Sequence, residues 1–313
     1  MGRHKTGTEI RNMQLRWIAS QSASCFHAAA AMFGGETLTD PQVAAALADP
    51  LDTLRGEIVA SQLPAALFWE HLVPLAAGIE NNRELADVLQ RKILPAGQRS
   101  EFLTSRLAAG FSALEAAYRE TLPDLVDELA ARAQPLRQQW EARGPGLLKT
   151  VARLSDERLI VEQADVILVR PVLGGMAVAH LPYNSVRMEA VLADPHATLP
   201  ETVRLAWVLA QLNLDLPLFS ERLRRDRLGM VAQLAMLPVV LQAAEHVELA
   251  AYDQRAIQLA LEVWHIEITD DVPDEADQLA DTISRWYAQY TADRPDWAVA
   301  LAALDRMLKA SGR

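Results

Sequence analysis

The sequence predicts an α+β fold that is mostly α, and three observations carry that expectation. Ala and Leu dominate while glycine supplies only 14 of 313 residues, and Ala and Leu are strong helix formers. Apolar residues recur at helical spacing between proline and cap signals across the first 143 residues and again from Leu199. Between these regions lies one stretch rich in β-formers, RLIVEQADVILVRPVLGGMAVAHLPYNSVRMEAVL. The order helices, small sheet, helices differs from the strand–helix alternation of a parallel α/β sheet.

Each element has a local reason. In LTDPQVAAALADP, Thr39 or Asp40 caps a helix with Pro41 in its first turn and a stop near Pro50. Ser61 to Gly78 carries Leu63, Leu67, Leu72 and Leu75 on a helical repeat. Asn82 opens a helix through Leu94, and Ser100 caps another through about Tyr118. Pro123 starts a helix ending near Trp140. Gly144-Pro145-Gly146 is the strongest punctuation in the chain. It predicts a helical domain over 1–143 and an α+β domain over 144–313, with a small, largely antiparallel sheet at about 159–192, then helices. Asp165 to Val172 reads as a buried strand, Gly174-Gly175 as a hairpin, and Met176 to Leu181 as the returning strand. Ser185 to Leu192 alternates Val186 and Met188 against Arg187 and Glu189, a strand with one face more buried. The acidic run Asp270 to Glu275 suits the N-terminus of a following helix.

Composition excludes several roles. A net charge of −11 repels phosphate backbones, so no nucleic-acid partner is expected. No uninterrupted apolar run reaches ~18 residues, and the first residues lack the apolar segment of a signal peptide. No membrane association is expected, and a cytoplasmic location follows. The single cysteine, Cys25, rules out an intrachain disulfide and a Cys-rich zinc site.

The most patterned stretch is LPETVRLAWVLAQLNLDLP, Leu199 to Pro217. Strands, a short loop with Asp194-Pro195, and this helix together resemble the core of a zincin-like metallopeptidase over about 165–217. That family's helix carries His-Glu-x-x-His, two zinc-binding His one turn apart and a Glu that activates water. The resemblance places Trp207 and Gln211 where the His residues stand and Val208 where the Glu stands. Trp cannot ligate zinc and Val cannot take a proton, so the resemblance implies a core whose hydrolytic site is lost. An ordinary core helix after a hairpin accounts for the same pattern.

Other chemistry has thinner support. No two of the seven His have i, i+4 spacing. His180, Glu189, Asp194 and His196 are the candidates for a metal site around the sheet. Cys25 stands near a helix start after Gln21, an arrangement that suits a thiolate nucleophile, with His180 as a candidate base that nothing marks over His71. A small buried Cys on an Ala-rich helix is the competing explanation. His27, two residues on, points elsewhere on a helix. Trp207, Trp264, Trp286 and Trp297 read as inter-helix packing. The sequence therefore predicts a non-catalytic interaction or structural module that binds no cofactor and takes a protein partner, built on a decayed metallopeptidase-like core. The alternative is a metal- or Cys-dependent hydrolase.

Overall fold

The computed structural model describes residues 13–266 and 276–311. The acidic run 270–275 lies outside them. Twelve α-helices and four strands form among the described residues, an α+β fold that is mostly α. The chain divides into two compact units: one of residues 17–137 and 165–195, the other of the described parts of 1–16, 138–164 and 196–313.

The first unit starts from a strand, β1 (Gln14–Ala19), which the sequence reading missed. Ser20 then caps α1 (Gln21–Phe33) by accepting the Ala23 N–H. Asp40 caps α2 (Pro41–Ala60) by accepting from Gln42 and Val43. Helix α2 does not stop at Pro50. Leu47, Leu51, Leu54 and Ile58 continue its buried face past the proline, and that burial outweighs the ~3 kcal/mol that proline costs inside a helix. α3 (Ala65–Ala76), α4 (Asn82–Ile93) and α5 (Glu101–Thr121) follow. Phe26 of α1 meets Phe111 of α5 edge-on at 5.3 Å, and Phe111 meets Phe68 of α3 at 6.1 Å.

The expected break at Gly144 is absent. Helix α6 runs from Leu125 to Leu154 through Gly144-Pro145-Gly146. Leu147, Leu148, Val151 and Ala152 are all buried, so the apolar face resumes beyond the punctuation. Gly144 serves packing here and makes no turn. A Cβ at this position would collide with the indole of Trp140, one helical turn away, whereas a Cβ on Gly146 would meet only Val247 at 3.9 Å.

β2 (Gln163–Val169), β3 (Ala177–His180) and β4 (Ser185–Glu189) complete a sheet of order β1-β2-β4-β3. β2 pairs in parallel with β4, Asp165 opposite Ser185 and Val169 opposite Glu189. β3 pairs antiparallel with β4, Ala177 opposite Met188 and His180 opposite Ser185. The sheet is therefore mixed, and Gly174-Gly175 joins no adjacent pair. The true hairpin lies at Leu181–Asn184, where Asn184 takes φ 48°. The sheet belongs mainly to the unit of the N-terminal helices, a different grouping from a 144–313 domain.

The second unit is built around α9 (Arg225–His246). α7 (Glu201–Leu209) and the short α8 (Pro217–Ser220) precede it, and α10 (Gln254–Val263), α11 (Ala276–Asp293) and α12 (Trp297–Ser311) follow. α9 is long and apolar enough to cross a membrane by length and composition, because Gln233 and Gln242 interrupt an otherwise apolar stretch without charging it. Of its most apolar 18 residues, 72% are buried within the protein, as in a core helix. Trp207, Trp264, Trp286 and Trp297 are all buried. Trp286 stacks on Tyr290 at 5.8 Å and gives its indole N–H to the Ala300 carbonyl.

Gly144 and Gly146 are expected to respond oppositely to alanine. Gly146→Ala gains helix propensity and should stabilise by about 0.5–1 kcal/mol. Gly144→Ala must displace Trp140 and should destabilise by about 1–3 kcal/mol. Paired thermal melts measure both, and a stabilising Gly144→Ala would refute the packing role.

Candidate functional site

The residues with chemistry gather on one face of the sheet. Strand β4 alternates, so Ser185, Arg187 and Glu189 share a face while Val186 and Met188 share the other. Register adds His180 of β3 and Asp165 of β2 to the polar face, since each stands directly opposite Ser185. The sequence pattern marks this face as the less buried one, yet all five β4 residues are buried. Alternation separates polar from apolar faces, but it does not say whether water or a helix covers the polar one. Here α1 covers it.

Glu189 is the centre of the layer. Its Oε1 accepts from His27 Nε2 of α1 at 2.8 Å and from the Val172 and Leu173 amides, each at 2.9 Å; its Oε2 accepts the Gly175 amide at 2.7 Å. An ionised carboxylate only accepts, so His27 Nε2 carries the proton. Gly174 and Gly175 take φ 89° and 127°, conformations that side chains resist, and they bend the loop so that its amides converge on the carboxylate. Burial alone would raise the Glu189 pKa, but the His27 hydrogen bond and the loop amides overcome it and hold the carboxyl below its usual range.

Around this carboxylate stand groups with fewer partners. Arg187 is 8% exposed, and its guanidinium makes no hydrogen bond among the described residues. Burial pulls its pKa down to about 10, against the pull of Glu189. His180 Nε2 and Ser185 Oγ are buried without a hydrogen-bond partner. Burial and then Arg187, His71 and His27 hold His180 well below the ordinary imidazole value. His27 is lowered by burial and by Arg187, with Glu189 opposing. His71 of α3 bonds the Tyr183 hydroxyl at 2.7 Å, and burial pushes that hydroxyl up to about 12.

The sequence candidates fare differently. His180 and Glu189 lie in this layer; Asp194 and His196 lie in the irregular segment between β4 and α7. Among the described residues, no group of three or more His, Cys, Asp and Glu could hold a metal. Cys25 lies in the second turn of α1, 1% exposed, and burial followed by Glu115 pushes its thiol well above the usual value. That protonated thiol is the opposite of a nucleophile at a helix N-terminus. His27 and Arg187 were missed. His27 was set aside because it cannot face Cys25, although it faces Glu189, 162 residues away in sequence.

At the positions aligned with the peptidase motif, Trp207 is 2% exposed; its indole N–H donates to the Gln233 carbonyl at 3.0 Å, and its ring lies 5.0 Å from that of Trp264. Gln211 lies beyond the end of α7 and folds back, giving its amide N–H to the Trp207 carbonyl at 2.9 Å. Val208 is buried beside them. On the surface of the other unit, a groove of about 390 Å³ is lined by Pro50, Leu54, Phe102, Ala109 and Gly110. Its ionisable residues, Arg106 and Glu57, pair with each other.

Comparison with protein-family models, with curated proteins and with solved structures gives no match for this chain.

Glu189→Gln should destabilise the protein by about 3 kcal/mol, the scale for breaking a buried charged network. The new amide N–H2 would face the Gly175 N–H or the His27 N–H, and Arg187 would lose the negative charge of Glu189 that acts on it. Urea midpoints of wild type and variant check this; a loss below about 0.5 kcal/mol, the size of a surface substitution, would show that the carboxylate does not hold the loop.

Proposed function

We propose that this chain is a non-catalytic interaction or structural module acting in the cytoplasm, with a protein as its partner. One observation carries the reading: the best-placed carboxylate, Glu189, spends its acceptor positions on His27 and three loop amides. A general base needs a free lone pair within reach of a substrate proton. The buried, protonated Cys25 supports the same reading. So does the apolar α2–α5 groove, which offers contact surface and no reactive group. The net charge of −11 argues against a nucleic-acid partner.

The module is further proposed to rest on a decayed metallopeptidase-like core. The apolar frame of α7 and the filled positions Trp207, Val208 and Gln211 support that descent, with core packing in place of metal ligation.

The direct test is hydrolysis of a mixed peptide library by wild type and by Glu189→Gln, at a temperature where both are folded. Equal background turnover with and without added zinc is expected. Turnover that exceeds buffer and disappears in the variant would overturn the reading.

Trp207→Ala is expected to cost about 3–5 kcal/mol, as emptying a buried aromatic site does, and it leaves the Gln233 carbonyl without its donor. A melting curve measures this. The combined Trp207→His, Val208→Glu and Gln211→His variant, where it folds, is expected to bind no zinc by titration. A small loss in the first variant with micromolar zinc binding in the second would mean that α7 lines an open cleft.

A further inference from the structure

The polar layer holds more imidazoles than its hydrogen bonds need. Three of the seven His gather here: His27 and His71 both act on His180, and His27 and His180 both feel the buried Arg187. Each comes from a different element: α1, α3 and β3. His180 and Arg187 are diagonal neighbours across the β3–β4 pair, within reach of long side chains. We propose that this layer is an acid-released latch. It holds the β3–β4 hairpin against α1 and α3 at neutral pH and lets the hairpin go when His180 takes a proton.

The charged and titratable groups facing His180 come from every neighbouring element. β4 supplies Arg187 and Glu189, α1 supplies His27, and α3 supplies His71 with Glu70 beside it. α4 supplies Lys92, whose ammonium lies 5.5 Å from the Tyr183 ring; the hairpin turn supplies Tyr183 itself. β2 supplies Asp165, opposite Ser185 in register. Of the two carboxylates on this face, Asp165 is half-buried on β2, the strand on the far side of β4 from His180, and Glu189 is already held by His27 and the loop amides and already offsets Arg187. A proton on His180 therefore adds a second buried cation with no anion of its own, and its Nε2–H would have no acceptor. Buried charge without a partner is the costliest arrangement in a protein interior.

The sign follows from linkage. The closed layer keeps its imidazoles neutral, while a released imidazole titrates near 6.5. Below about pH 6.5 the released state binds more protons than the closed one, so acid favours release. The effect fades over about one pH unit above that value. It grows by about ten-fold in the opening equilibrium per pH unit for each imidazole released. Release is local, because the second unit is held by its own apolar packing around α9. The latch stands independently of the non-catalytic reading, since a hydrolase could carry it equally well.

Hydrogen exchange of the intact chain between pH 7.5 and 5.5, corrected for intrinsic rates, tests the proposal. The β4 and loop 172–175 amides should open faster at the lower pH while α9 amides keep their protection. His180→Leu should remove roughly one ten-fold factor at pH 5.5, and His180→Gln serves if the leucine variant fails to fold. The imidazole resonances of wild type give a second readout: His180 should stay neutral down to the pH at which exchange accelerates. Equal acceleration in wild type and variants, titration of His180 near 6.5 in the closed protein, or parallel loss of α9 protection would each overturn the latch.

Discussion

Everything in the sheet-bearing unit answers to one constraint: the Glu189 carboxylate is buried and must remain charged. A buried carboxylate is tolerated only where donors replace the water it has lost. The chain supplies them from two directions, with His27 reaching down from α1 and loop 172–175 turning three amides inward. That requirement explains the two positive-φ glycines and the absence of a β2–β3 hairpin. It also explains why β4, with its polar alternate residues, lies between β2 and β3 with both faces covered. Arg187 then finds the opposite charge it needs in the same layer.

The helices were legible because their signals are local. Asp40, Asn81, Ser100 and Asp253 each cap the helix that follows through a side-chain bond to its first amides. Prolines misled where an apolar face outweighed them, at Pro50 and at Pro145. Gly144 misled for another reason, since a glycine that admits a neighbouring indole looks in sequence like one that makes a turn. The strand order was not legible. Gly174-Gly175 carries the signature of a two-residue turn, and only the position of a carboxylate fourteen residues later in the chain shows that the loop turns inward.

The site was half legible. Glu189 and His180 stand out as ionisable residues in a β-rich stretch, but their partners do not. His27 lies 162 residues before Glu189 and His71 lies 112 before Tyr183, and no spacing rule spans such distances. The alternation puts Arg187 on the less buried face of its strand and names no partner for it. Arg187 became part of the layer because α1, rich in alanine, is slim enough to approach the sheet. In the α7 stretch the pattern is local, and its apolar frame reads as the buried core that Trp207, Val208 and Gln211 occupy.

The two units solve burial in opposite ways, and the contrast bears on what the chain can do. The α9 unit fills its centre with leucine, alanine and indole. Two of its indoles donate to backbone carbonyls, Trp207 to Gln233 and Trp286 to Ala300, and its buried charges pair within the unit, Arg204 with Glu201 and Arg227 with Asp305. Such a core changes little near neutral pH, because each of these carboxylates faces a guanidinium and none of the unit's described histidines is buried. The sheet-bearing unit instead keeps a guanidinium, a carboxylate and three imidazoles at close quarters. A layer of that kind costs more to fold than leucine would and returns little stability for it. What it provides is a response: its energy depends on protonation, and a core of leucine has none to offer. On the proposed latch, the polar layer is the part of this chain whose state follows pH.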